Sequence, residues 1–137
     1  MKTLVYATCL VMTAMTMRAD DVLNWTGEAG DGKWSTPGNW QENVSPKDVG
    51  NSETRVLVFP AGSVSENDWT SLGLKQMKFT GTGETVISGG KLSFDANASD
   101  GMIRVTDSTV TIKNEVYDNW ASAFYCSKGE LILLLRQ

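Results

Sequence analysis

From Asp20 onward the chain has no stretch in which apolar residues recur at the spacing of an amphipathic helix. Gly, Ser, Thr, Asn and Asp interrupt them every few positions. The pattern predicts short strands joined by tight turns. Val56-Leu57-Val58-Phe59 is a run of apolar β-formers closed by Pro60-Ala61-Gly62, a buried strand followed by its turn. Leu72, Leu74, Met77 and Phe79 then lead to the turn Gly81-Thr82-Gly83. Thr85-Val86-Ile87, Gly89-Gly90 and Leu92-Ser93-Phe94 follow, and after the polar stretch 95–101 come further short strands at Met102 to Val105 and Thr109 to Ile112.

Sliding the sequence along itself by 26 residues superposes Met77 on Ile103, Phe79 on Val105, Thr80 on Thr106, Thr85 on Thr111 and Val86 on Ile112. Strand pairs repeating at one coil length suit a parallel β-solenoid, in which each coil buries its inward side chains on the coils above and below. A small antiparallel β-sandwich also places short strands at regular spacing and stays open as the alternative. The expected class is thus all-β: solenoid coils over 63–115, preceded by a Trp/Gly-rich segment over 20–62 and followed by a tail over 116–137 that leaves the repeat.

The first 19 residues have a different character. Lys2 precedes an apolar stretch from Leu4 to Met15 that is too short to span a bilayer, and Ala19 supplies the small residue required before a signal-peptidase cut. They predict a signal peptide and export of a chain that begins at Asp20. At the other end, Leu131-Ile132-Leu133-Leu134-Leu135 is apolar at every position. Such a run must be buried on both faces or it becomes an adhesive edge, so residues 116 to 137 are expected to leave the solenoid register and to promote self-association through the C-terminal end.

Charge and composition narrow the chemistry. With 12 Lys plus Arg against 16 Asp plus Glu the chain carries −4; loss of Lys2 and Arg18 with the leader leaves 10 against 16, or −6. An acidic chain without a basic cluster repels phosphate backbones, so nucleic acid is not an expected partner. Histidine is absent, which removes any Ser-His-Asp or Cys-His triad and all imidazole metal ligands. Cys9 lies in the leader, leaving Cys126 alone, expected as a small buried apolar residue without a disulfide partner.

The most distinctive segment runs through Asn24-Trp25-Thr26-Gly27, Gly32-Lys33-Trp34 and Pro37-Gly38-Asn39-Trp40. Glycines between tryptophans let the backbone turn sharply and approach the rings, so the indoles can pack as a cap over the first coil. The same rings, with Trp69, are the candidates for stacking on carbohydrate: Trp25, Trp34, Trp40 and Trp69. Asp95 to Gly101 places oxygen side chains at alternate positions as a calcium loop does, but its Gly comes one place late and no closing Glu follows, so it reads as a solvated turn. Asp20-Asp21 and Glu66-Asn67-Asp68 read as solvated charge. No catalytic residue, metal ligand or cofactor site is expected.

Asn24-Trp25-Thr26-Gly27, Gly32-Lys33-Trp34, Asn39-Trp40 and Val58-Phe59 resemble the opening of proteins with autotransporter-associated β-strand repeats. Leu72 to Phe79, Thr80 to Gly83, Thr85 to Gly90 and Lys91 to Phe94 resemble the repeat itself, and the likeness covers about residues 24 to 114. It implies a right-handed parallel β-helix in a secreted or surface-displayed protein of a Gram-negative bacterium, with host or environmental glycans or surface proteins as partners. Beyond Glu115 the likeness fades. The function expected is a non-catalytic structural or adhesive segment; the alternatives are a carbohydrate-binding module using exposed Trp, or the leading part of a β-helix polysaccharide lyase or glycosidase.

Overall fold

The computed structural model describes residues 19–95, 102–119 and 124–134. Residues 1–18 of the expected leader over 1–19, and most of the polar stretch 95–101, lie outside the described residues. What is described is a parallel β-solenoid of about three turns. Its strands are β1 (Asp21–Asn24), β2 (Arg55–Pro60), β3 (Val64–Leu74), β4 (Gln76–Thr80), β5 (Gly83–Phe94), β6 (Ile103–Thr106), β7 (Ser108–Ile112), β8 (Val116–Asp118), β9 (Phe124–Ser127) and β10 (Glu130–Leu133). One sheet stacks β1-β2-β4-β6-β9 and the other β3-β5-β7-β10, all in parallel. Every pairing joins one coil to the next, which decides between solenoid and sandwich.

Each coil has three sides. β3 and β5 bend partway, and the two halves of β5 pair separately with β7 and with β8. The bend in β3 carries two extra residues, because Asn67 pairs with Gly89 and Ser71 with Lys91. Inside, side chains form columns along the stack. Leu23, Leu57, Met77, Ile103 and Phe124 make one; Phe59, Phe79, Val105 and Cys126 another; Ile87, Ile112 and Leu133 a third. Period-two alternation sends these inward and leaves Lys78 and Arg104 on the outer face. Among the described residues no helix is long and apolar enough to cross a membrane.

Two expectations are corrected. The self-comparison shift of 26 holds on the first sheet, where Met77 pairs with Ile103 and Phe79 with Val105. On the second it is 25: Thr85 pairs with Val110 and Ile87 with Ile112. Two residues, Gly81-Thr82, separate β4 from β5, whereas Asp107 alone separates β6 from β7 and turns the corner at φ 58°. The shorter corner advances the register by one residue and keeps Ile87 and Ile112, both buried, on the same inner column.

β1 and β2, within the segment 20–62, belong to the same stacked sheet. The second correction concerns the tail, whose described strands β9 and β10 keep the register. Ile103 pairs with Phe124 and Val105 with Cys126, while Val110 pairs with Leu131 and Ile112 with Leu133. Leu131 and Leu133 pack against the core, so the all-apolar run is read by alternation after all. Cys126 correspondingly is exposed rather than buried, because it stands on the outermost described strand of its sheet.

Candidate functional site

The Trp/Gly segment closes one end of the stack. β1 extends the first sheet beyond β2, and Lys33 bridges in parallel to Glu66 at the free edge of β3. Trp34 N donates to Glu66 O at 3.0 Å and Glu66 N to Gly32 O at 2.8 Å, so the loop completes part of a coil above the first full one. Trp25 and Trp40 face each other through an antiparallel bridge. Short 3₁₀ turns at Pro37–Asn39 and Pro46–Asp48 reverse the chain, each started by a proline whose missing N–H costs nothing at that position.

Phe59 is the centre of the cap. Its ring lies 5.9 Å from Trp25, 5.4 Å from Trp34 and 5.8 Å from Trp40, and stacks on Phe79 of the next coil at 5.5 Å. Trp25 and Trp34 each meet Trp40 edge to face, at 5.1 and 6.3 Å. These geometries set the positive ring edge against the negative face, and such a pair is worth about 0.5–1.5 kcal/mol beyond burial. The indole N–H groups are placed as well: Trp34 Nε1 donates to Ser65 Oγ and Trp40 Nε1 to the Trp34 carbonyl, both at 2.9 Å. Trp25, Trp34 and Trp40 are 5, 0 and 2 % exposed, so no broad indole face remains for a sugar. Trp69, on the β3 bend, is partly exposed, and Lys47 Nζ sits 5.1 Å from its ring centre. The structure therefore gathers three of the four candidate platforms into one interior cluster, with Trp69 packed against the core from a partly exposed position.

Polar groups lock this cap. Asp31 accepts from the Lys33 N–H and Asn39 Nδ2 through one oxygen and from the Thr36 hydroxyl through the other. The Thr36 hydroxyl, followed by the Lys33 N–H, holds the Asp31 carboxyl below the ordinary carboxylate value. Asp68, expected as solvated charge, instead binds the cap: Ser35 N donates to it at 2.9 Å and Ser35 Oγ at 2.5 Å. Burial pushes its carboxyl up, but the Ser35 donors, its own N–H and the nearby Lys33 together outweigh that and its pKa is lowered. Arg55, a buried cation the sequence reading passed over, donates to the carbonyls of Val49, Gly50 and Gly73. Burial lowers its pKa and the nearby Asp21 partly offsets this. Asp20, also expected as solvated, pairs with Lys75.

Buried amides hold the bend shared by β3 and β5. Asn67 Nδ2 donates to the carbonyls of Gly90 and Lys91, and Asn114 Nδ2 donates to Gly90 O from the following coil at 2.7 Å. The sequence signal for this bend was Gly89-Gly90 inside an apolar strand pattern. Asn114 Oδ1, buried, has no hydrogen-bond partner among the described residues.

Two surface clefts offer room for a ligand. One, of about 380 Å³, runs between the cap and the β2–β3 corner past Trp25, Thr26, Gly27, Pro60, Gly62 and Val64, and no titratable side chain lines it. The other, of about 320 Å³, lies at the bend between Gly89-Gly90, Lys91, Lys113 and Glu115. The first can offer backbone hydrogen bonds and the edge of Trp25; the second offers two ammonium groups and a carboxylate. Among the described residues no three of His, Cys, Asp or Glu are gathered to hold a metal ion. No family model, curated protein or solved structure matches the chain.

Proposed function

We propose that the chain is a non-catalytic structural or adhesive segment of an exported, surface-displayed β-solenoid protein. The observation that supports this reading is the use made of its most distinctive residues. Trp25, Trp34 and Trp40 are turned into one another and onto Phe59, where they seal the first coil, rather than outward in a row that a glycan could cover. Export and surface display rest on the leader and on the resemblance to autotransporter-associated repeats; in that setting glycans or surface proteins would meet the outer faces of the coils.

The test is a titration of the exported chain with a panel of soluble oligosaccharides, read by tryptophan emission, together with lyase and glycosidase assays on acidic and neutral polysaccharides. The expected outcome is no turnover and no saturable change in emission. A saturable, sugar-specific change abolished by Trp69→Ala would replace this reading with a carbohydrate-binding module. Turnover of any polysaccharide would replace it with an enzyme.

A further inference from the structure

The cleft of about 380 Å³ beside the cap is bordered by two sets of hydrogen-bonding groups that no described residue satisfies. The first is on Trp25. Trp34 Nε1 and Trp40 Nε1 each have an acceptor, whereas Trp25 Nε1 hydrogen-bonds to none of the described residues, although Trp25 is only 5 % exposed. Trp25 and Gly27 both line the cleft, and a Cβ on Gly27 would stand 3.2 Å from Nε1, so this N–H opens on it. A donor left without an acceptor in such a place is costly, and a ligand that supplies one recovers that cost.

The second set is on Val64. It lies opposite Val86 of β5, and Val86 N donates to Ser63 O, so alternation turns the Val64 N–H and C=O to the other edge of β3. On that edge the cap already pairs with Glu66 in parallel, through Gly32 O and Trp34 N. Two residues upstream the cap chain turns, with Gly30 and Gly32 at φ 78° and 69°, and neither Val64 group has a hydrogen-bond partner among the described residues. The Val64 side chain is 69 % exposed.

We propose that this cleft receives a short, uncharged, extended peptide segment of a partner protein, which continues the cap's strand pairing along the β3 edge. Val64 N–H donates to the carbonyl of one peptide residue and Val64 C=O accepts from the N–H two residues on, the pattern the cap uses at Glu66. Trp25 Nε1 supplies a further donor for a peptide carbonyl. Gly27, Gly30, Gly32 and Gly62 line the walls, where the absence of side chains lets a second backbone come close. No charged side chain lines the cleft, so a charged segment would lose hydration there without gaining a counter-charge. A sugar fits less well, because no broad indole face is open for it to stack on. The proposal deepens the adhesive reading and rests on it for the source of the peptide.

An NMR titration of the isotope-labelled full chain tests this, with a capped pentapeptide of alternating Ser and Val as the probe. The expected result is a saturable shift of the Trp25 indole N–H and of the Val64 amide, with the Trp34 and Trp40 indole signals unmoved. Binding should weaken at least tenfold when the peptide is N-methylated at every amide, which needs no change to the protein. Val64→Pro, at an edge position where proline is tolerated, should weaken it as much, while Val64→Thr binds as the unaltered chain does, both variants being checked for folding by circular dichroism. No saturable shift at these two groups, equal binding of the N-methylated peptide, or equal binding of a pentapeptide of alternating Lys and Glu would overturn the proposal. So would a neutral oligosaccharide that moves the same two signals. Only that last result would count against the adhesive reading as well, since the others leave its own oligosaccharide and turnover assays untouched.

Discussion

Asp31 ties three parts of the cap together, because its two oxygens collect the Lys33 N–H, the Asn39 amide and the Thr36 hydroxyl. All three donors favour the ionised form, as the Ser35 donors do at Asp68. Both carboxyls therefore have lower pKa values in the folded chain than in the unfolded one. The stability they contribute is complete above the unfolded value and is lost as pH falls through the lower folded value. The cap should hold from neutral pH down through the ordinary carboxylate range and loosen only in stronger acid. Tryptophan emission followed against pH checks this, with Asp31→Asn expected to weaken the cap at neutral pH and flatten its acid response. A red shift that begins at or above the ordinary carboxylate value would show that these contacts do not govern the cap.

At the scale of the element, the corners of the coil decide the register. Their geometry is carried by residues that tolerate unusual backbone: Gly62, Gly81, Asp107 and Lys128 all have positive φ. The bend at Gly90 is limited instead by space, since a Cβ there would stand 1.8 Å from the Trp69 carbonyl oxygen and 2.7 Å from that of Thr70. Backbone cannot move aside as a flexible side chain can. Gly90→Ala should thus cost more than about 3 kcal/mol, in the tail of single-substitution effects. Gly30→Ala makes a useful contrast, because Gly30 has φ 78° and open space around it, leaving only the left-handed penalty of about 1–2 kcal/mol. Urea denaturation of the two variants gives the comparison, and equal losses would mean that the coils do not approach as closely at the bend. Of these elements, β2 and β4 to β7 were legible as apolar runs between turn residues. β1 and the first half of β3 were not, because β1 is a short strand in a segment read as cap and β3 turns the polar Ser65 and Asn67 inward, where Glu66-Asn67-Asp68 had read as solvated charge.

Over the whole molecule each coil touches only its neighbours, so stability is close to a sum of local terms and need not be uniform. The central strands β4 and β5 have a coil on either side, and β1 and β2 have the aromatic cap. Among the described residues β9 and β10 have a neighbouring strand on one side only. In dilute solution, amide exchange should therefore be slowest in β4 and β5, nearly as slow in β2, and fastest in β9 and β10. Hydrogen exchange read by mass spectrometry resolves these segments. A single rate across all of them would show that the solenoid opens as one cooperative unit and that the cap confers no local advantage.

The sequence alone determined that this is an all-β chain of short strands repeating at coil length, that its tryptophans fall in one glycine-rich segment, and that histidine chemistry is closed to it. Those properties are local, since period-two alternation, turn residues and composition can be read without knowing what lies opposite. Only the tertiary structure decided that Trp25, Trp34 and Trp40 converge on Phe59 and that Asp68 reaches the cap through Ser35. It also set the one-residue advance at Asp107 and the return of β9 and β10 to the stack. Each of these is settled by which of two neighbouring registers buries more apolar surface against the adjoining coil, and that competition is between residues far apart in the chain.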